Sequence, residues 1–292
     1  MTIRKQGVVP RTALTENELA AIMSLADTCN AYENLDMKLN PDMLRTRPGS
    51  ETNDFLYYED GQLIGFLALF SFNASEAEIS GMVHPGYRRH GVFTRLFRVA
   101  QQECKRRGIQ DVVFIVEHTS QSGQAWVQSL GVQYHHSEYK MELAEITPPP
   151  KPLPDLQLRP AKLDETRTLA RITALSFDMP IANVDWYTTN VMEHSDGRYY
   201  YVAALGNTVI GKLDVTLNPR EAMIYGFGVL QKYRGRGYGR RLLAYAIQQV
   251  LATGQRPIVL EVVVENENAL ALYRSCGFRE TTSYDYYVLL VI

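Results

Sequence analysis

The stretch QKYRGRGYGRR, residues 231–241, sets Gly235, Gly237 and Gly239 at alternate positions among five cationic side chains, with no acid between them. The rest of the chain is slightly acidic: 292 residues, 46% hydrophobic, with a formal net charge of −2 and a pI near 6.3. Positive charge concentrated in one segment points to a local anion site, whereas a nucleic-acid binder would show a basic surplus over a whole face. Upstream lies an apolar, strand-like run, AMIYGFGV (222–229). Downstream, Leu242, Leu243, Ala246, Ile247, Val250 and Leu251 form one helical stripe, with Gly254 placed to end it. Alternate glycines between a strand and a helix let successive N–H groups point into one concavity, and the helix N-terminus adds partial positive charge. Such a cradle suits a pyrophosphate. It is not a dinucleotide fingerprint, because the third glycine position of G-x-G-x-x-G falls on Arg240 or Leu242; a G-x-x-x-x-G-K-[ST] loop is absent. Gly226 and Gly228 interrupt the preceding strand, which signals a bulge or a close approach to its backbone.

The chain carries a second, weaker copy of this pattern. Ile64-Gly65 recurs as Ile210-Gly211, VHPGYRRHG (83–91) as VLQKYRGRG (229–237), and Gly131 as Gly277, all at an offset of 146. Between the copies TPPPKPLP (147–154) holds five prolines, a composition that favours a stiff, extended connector. The expected organisation is a first domain over 1–146, a linker over 147–154 and a second domain over 155–292. Each copy reads as a helix (Leu19, Ile22, Met23, Ala26; Leu169, Ile172, Leu175), a hairpin, a strand, the loop, a long helix, a strand, a short helix and a last strand. In the second copy Gly206-Asn207 supplies the hairpin turn, and the later elements fall at 258–264, 269–275 and 286–292. This is α+β with a mixed sheet in each copy.

Three scattered cysteines, Cys29, Cys104 and Cys276, form no C-x-x-C or paired framework and read as reduced thiols of a cytoplasmic protein. Cys276, beside Gly277 in an apolar turn, reads as a buried side chain rather than a nucleophile. No apolar run has signal-peptide or membrane-spanning length. His135 and His136, adjacent on a strand, should face opposite ways, and no metal site is expected.

With R-G-R-G-Y-G followed by NENALALYRSCGF (266–278), the chain resembles the GCN5-related N-acetyltransferase (GNAT) superfamily in both halves. The loop is similar to that family's Q/R-x-x-G-x-G/A acyl-CoA motif at Arg234, Gly237 and Gly239, and the second segment to its N-x-x-A-x-x-L-Y-x-x-x-G-F motif. The resemblance implies two tandem domains, each a splayed mixed sheet flanked by helices and parting to admit the pantetheine arm. It implies acyl-CoA, acetyl-CoA first of all, as cosubstrate. Phe227, Val229, Arg234, Gly235, Arg236, Gly237, Gly239, Arg240 and Asn266 would lie along it, with the Val229 N–H as oxyanion donor. Tyr273 would be the general acid beside the sulfur. Glu261 matches the glutamate base of ribosomal-protein alanine N-acetyltransferases, with Asp178, Asp185 and Glu265 as alternatives.

In the first copy Phe93 stands at the Gly239 position, where its bulk should crowd a pyrophosphate, and Val127, Ser120 and Gly123 stand at Tyr273, Asn266 and Ala269. Glu117 is offset by two from Ile115, the counterpart of Glu261. That copy is expected to be catalytically silent. The expected function is direct acyl transfer to a primary amine, with a small molecule favoured and a peptide or protein N-terminus, or a non-catalytic acyl-CoA-binding module, as alternatives. Acidic and aromatic residues of 177–187, and Tyr199 to Tyr201, would suit a cationic acceptor.

Overall fold

A computed structural model describes residues 6–71, 75–179 and 197–290. The chain divides into two compact units. One holds the described residues up to Ser137 together with those from Thr282 onward; the other holds Glu138–Thr281.

In the first unit β1 (Gly7–Arg11), β2 (Asp54–Glu59), β3 (Gln62–Phe70) and β4 (Glu76–Val83) pair antiparallel in sequence order, β5 (Asp111–Glu117) joins β4 in parallel, and the end of β12 (Phe278–Leu290) closes the sheet. Helices α1 (Glu16–Glu33) and α3 (Val92–Arg107) each bury an apolar stripe against one of its two cores, with the short α2 (Pro41–Arg45) and α4 (Gln121–Ser129) beside them. Thr15 caps α1, with Glu18 completing a capping box, and Asn34 ends it in the left-handed region.

The second unit repeats the plan. Strands β7 (Leu156–Pro160), β8 (Arg198–Leu205), β9 (Thr208–Leu217) and β10 (Ala222–Val229) run antiparallel, and β11 (Ile258–Val263) joins β10 in parallel. The Gly206-Asn207 turn joins β8 to β9, with Gly206 at φ +55°. Helix α6 (Tyr238–Ala252) buries Leu242, Leu243, Ala246, Ile247 and Val250 against Leu213, Val215, Ile224, Ile258 and Leu260; each of the leucine, isoleucine and valine side chains contributes roughly 1.5–3 kcal/mol. On the opposite face α5 (Thr166–Phe177) packs Leu169 and Ile172 on Val202, Ala204 and Val209, while Leu175, expected in that stripe, is exposed. Helix α7 (Glu267–Ser275) follows β11.

The closing strands differ from the expected division at 147–154. The repeat puts the last strand in the second domain, yet Tyr284–Leu290 of β12 pair antiparallel with residues 111–117 of β5. Conversely, residues 138–142 of β6 (Gln133–Leu143) pair with β11. Each sheet is thus closed by a strand from the other half of the sequence, and the proline segment, which forms no helix or strand, falls inside the second unit. Each copy supplies a last strand of similar length, so pairing preference alone does not fix which sheet receives it. His135 and His136 do not diverge as alternation predicts: their Nδ1 atoms lie 2.6 Å apart, and His136 stacks on Tyr286. Among the described residues no helix is long and apolar enough to cross a membrane.

Candidate active site

In the second unit β10 and β11 stay paired from Ala222↔Ile258 to Ile224↔Leu260, and among the described residues the two strands do not pair beyond that point. Ligand crevices in open α/β sheets form at the carboxyl ends of such strands. Just beyond, β10 bulges against β9: Tyr225 faces Asp214 and Gly228 faces Lys212, so Gly226 and Phe227 share the position opposite Leu213. This is the interruption that the two glycines signalled. Gly226 sits at φ +54°, and a Cβ there would lie 2.5 Å from Asp214 Oδ2; a Cβ on Gly228 would collide with Ser176 Oγ. A bulge leaves backbone polar groups outside the ladder, where they can meet a ligand.

The glycine loop follows. Gly235 and Gly237 both adopt φ +75°, Gly237 is the N-cap of α6, and the N–H groups of residues 235–240 have no backbone acceptor among the described residues. Together with the helix terminus they form an anion cradle fit for a diphosphate. The cations divide the work. Arg234 Nε donates to Val229 O (2.8 Å), pinning the loop to the strand end; Arg240 donates to Ser275 O and Oγ; Arg241 donates to Lys151 O and Gly237 O. Lys232 lies over the Tyr233 ring, and Arg236 is exposed with no partner among the described residues. Of the arginines expected to contact the cosubstrate, Arg236 is the one left uncommitted, and Arg234 keeps only its terminal nitrogens free.

Tyr273, on α7, is 8% exposed, with its ring centroid 6.2 Å from that of Phe227. Burial, and secondarily Cys276, pushes its pKa up to about 12, so the phenol keeps its proton. Its hydroxyl has no hydrogen-bond partner among the described residues. Asn266 is the N-cap of α7 and accepts from Ala269 N (3.2 Å), as Ser120 caps α4 in the first unit. Glu261 is the first residue past the last β10–β11 pair, opposite Lys140 of β6, and alternates with Leu260 and Val262, which face α6. Alternation therefore puts it on the α5 face. Burial raises the pKa of the Cys276 thiol, which suits the non-nucleophilic reading. Asp178 and Glu265 are exposed; Asp185 lies outside the described residues.

Sequence reading missed a charged pair. Lys212 and Asp214, 4% and 3% exposed, alternate on β9 with core residues Leu213 and Val215 and point to the α5 face. Lys212 Nζ donates to Asp214 Oδ2 (2.6 Å) and to Thr173 Oγ1 (2.8 Å). Asp214 Oδ1 and Ser176 Oγ are buried without partners among the described residues. Burial pushes the Asp214 carboxyl up to about 6 against the opposing pull of Lys212. The available signal was K-x-D inside an otherwise apolar strand, GKLDV.

The first unit keeps the loop but differs at the bulge and at the tyrosine position. Arg88 Nε donates to Val83 O (3.1 Å) as Arg234 does to Val229, and Arg89, at φ +68°, holds the conformation that Gly235 takes freely. Its β3–β4 register runs unbroken from Gly65↔Val83 to Phe70↔Glu78, with no bulge, and Val127 stands buried at the tyrosine position. The same loop nevertheless borders a cavity of about 430 Å³ whose walls include Cys29, Glu33, Arg88, Phe93 and Trp126. Phe93, expected to crowd a pyrophosphate at the loop, forms part of the wall of that cavity. Its ring turns onto β4, edge-on to Trp126 (centroids 4.6 Å apart), over Gly81, where a Cβ would meet Phe93 Cε2 at 2.8 Å. In the second unit the aromatic comes from the opposite wall: Phe227 occupies the strand position and Gly239 the helix position. Glu117 is satisfied by Asp36 N, Thr119 and Thr282, and Glu33 by Arg88 and Ser122.

A family model, acetyltransferase (GNAT) family, matches residues 19–131 and again residues 166–278. The chain belongs to the GNAT family. Its two GNAT domains are in tandem, and the arrangement has precedent among solved structures. A tandem GNAT protein from the clavulanic acid biosynthesis pathway superposes with a TM-score of 0.76 at 16% identity, covering 98% of each chain. A GCN5-related N-acetyltransferase from Sphaerobacter thermophilus gives 0.80 at 19% identity, covering 99% of this chain and 97% of its own. At such identities these GNAT structures bear on the fold alone. A mycothiol acetyltransferase of Pseudarthrobacter chlorophenolicus is 28% identical over 236 residues, 73% of this chain and 71% of that one. The first curated relatives are matched over 22–54% of their length, so the chain spans about half of them or less.

Proposed function

We propose that this GNAT protein is an acyl-CoA-dependent N-acyltransferase that moves an acyl group, acetyl in the first instance, directly to the primary amine of a small molecule, with the chemistry in the C-terminal copy. The observation that carries the reading is the bulged end of β10 between the loop's free N–H groups and Tyr273. Bound acetyl-CoA supplies an activated acyl carbonyl and a thiolate leaving group. The cradle of residues 235–240 and Arg236 hold its diphosphate. Backbone N–H groups near the bulge, Val229 among them, donate to the carbonyl oxygen as charge gathers there. Tyr273, kept protonated by burial, gives its proton to the departing sulfur, and Glu261 takes one from the amine, which attacks only once it is neutral. The small-molecule acceptor is supported by the 28% identity to a mycothiol acetyltransferase over most of both chains.

A second role is favoured by the cavity of the first unit: the N-terminal copy, lacking the bulge and the tyrosine, holds acyl-CoA without turning it over. Calorimetric titration of acetyl-CoA, with a variant carrying Gly237→Pro as control, tests both readings. Two sites, of which one disappears in the variant, are expected. A single site untouched by Gly237→Pro would remove catalysis from the C-terminal copy, and no binding at all would end the acyltransferase reading.

A further inference from the structure

We propose that Asp214 is the residue that recognises the acceptor, binding the ammonium group of a small aromatic or otherwise compact amine at the bulge of β10, with Lys212 as its positioning residue. The proposal rests on the reading of the C-terminal copy as the transferase and adds the residue that selects a cation.

Four observations converge. First, the carboxylate is half satisfied: Lys212 serves Oδ2, while Oδ1 is buried with no donor among the described residues. An unmatched buried carboxylate oxygen costs more than a hydrogen bond returns, so one retained here calls for a further donor, the part an ammonium would play. Second, the twin copy lacks it. At the same offset Lys212 and Asp214 become Phe66 and Ala68, both in apolar cores or fully buried. A buried carboxylate of that copy, Asp54 on the adjacent strand, is met at both oxygens by Arg47, through bonds of 3.1 and 2.9 Å. The fold therefore does not need a charge at position 214. Third, Asp214 is directly opposite Tyr200 on β8 and Tyr225 on β10, and cross-strand neighbours share a face of the sheet. A carboxylate between two tyrosines is suited to an ammonium by charge and by cation–π attraction. Fourth, Gly226 and Gly228 remove the side chains that would otherwise strike Asp214 and Ser176, and the bulge residues Tyr225, Gly226 and Phe227 are only half buried. The carboxylate thus adjoins the one distorted, partly open point of β10, beside the place where acyl transfer is assigned.

Among the described residues Asp214 faces Tyr200 of β8 and Tyr225 of β10 across the strands, and Lys212 of β9, which also bonds Thr173 of α5, is the one charge that acts on it. Because burial raises its pKa, recognition should fade as the carboxyl protonates. The test is calorimetric titration of phenethylammonium into the full chain without acetyl-CoA at pH 7.5 and pH 5. Asp214→Asn leaves Lys212 buried without a counter-ion and can cost the fold. A double variant, Lys212→Met with Asp214→Asn, removes both charges. The wild type is expected to bind, about tenfold more weakly at pH 5, where about a tenth of a carboxyl with pKa about 6 is ionised, and the folded double variant to bind at least tenfold more weakly at pH 7.5. No binding by the wild type, or equal binding by a double variant with native circular dichroism, overturns the proposal. Acetyl-CoA is titrated in parallel: its failure to bind the wild type would sink the transferase reading while leaving the amine result to stand or fall by itself.

Discussion

The exchange of an aromatic ring between strand and helix in the two copies yields a sharp test. In the C-terminal copy Phe227 reaches across to the helix, and a Cβ on Gly239 would sit 3.3 Å from its Cζ. In the N-terminal copy Phe93 reaches across to the strand, over Gly81. In each copy a side chain added at the facing glycine would meet the ring already there. Gly239→Phe alone puts two rings in that space, and overpacking of this kind costs about 1–3 kcal/mol. Taken out of ligand binding, that is roughly a 5- to 150-fold loss of acetyl-CoA affinity at the C-terminal site. Phe227→Gly alone leaves a void; losing a buried aromatic side chain costs about 3–5 kcal/mol, somewhat less here because Phe227 is only half buried. The double variant reproduces the arrangement of the N-terminal copy, so it should recover most of both losses, giving a coupling of about 2 kcal/mol or more. Urea unfolding of the four proteins measures the stability cycle, and calorimetry with acetyl-CoA measures the binding cycle. If the double variant is as damaged as the sum of the single ones, the two rings are not equivalent, and the reasoning that frees Phe93 from a blocking role fails.

Tyr273→Phe should lower turnover by about 10²-fold with acetyl-CoA affinity nearly unchanged, as for a lost proton donor, and thiol release in single-turnover experiments measures it; an unaltered rate would take Tyr273 out of the mechanism. Tyr284, 2% exposed and donating to Asp36 O, stabilises the first unit although it lies at the far end of the sequence. Tyr284→Ala should therefore cost about 3–5 kcal/mol and speed amide exchange in β5 but not in β11, and the opposite pattern would contradict the strand exchange. The raised Asp214 pKa has a stability consequence. An acid whose folded pKa lies above its unfolded value contributes stability below the unfolded pKa that is lost as pH rises through the folded one. Between pH 4 and pH 7 the wild type should lose stability relative to the Lys212→Met, Asp214→Asn variant, and parallel denaturation curves across that range would deny Asp214 its raised pKa.

The duplication, the order of elements and the conformation of the glycine loop were legible in the sequence because each depends on local chemistry. Glycine spacing sets the backbone of 235–239, apolar periodicity sets α6, and a bulged strand announces itself in Gly226 and Gly228. A constant offset then carries those assignments from one copy to the other. The roles of individual cations were not legible, since Arg234, Arg236 and Arg240 differ only in which carbonyl or hydroxyl lies within reach once the loop is folded. The same holds for Phe93, whose bulk is evident in the sequence while the direction of its ring depends on Gly81 across the crevice.

What the sequence by itself determined is the repeated α+β domain and the place of its anion cradle, because these follow from contacts between residues near one another in the chain. Tertiary structure alone decided three things: that each sheet is closed by a strand from the other half, that Phe227 and Phe93 fill equivalent spaces from opposite walls, and that Lys212, Asp214 and Ser176 meet at the β10 bulge. Each of these turns on partners tens of residues or more apart in sequence, or on the register between strands, where the free energy belongs to the pairing and no single segment carries it.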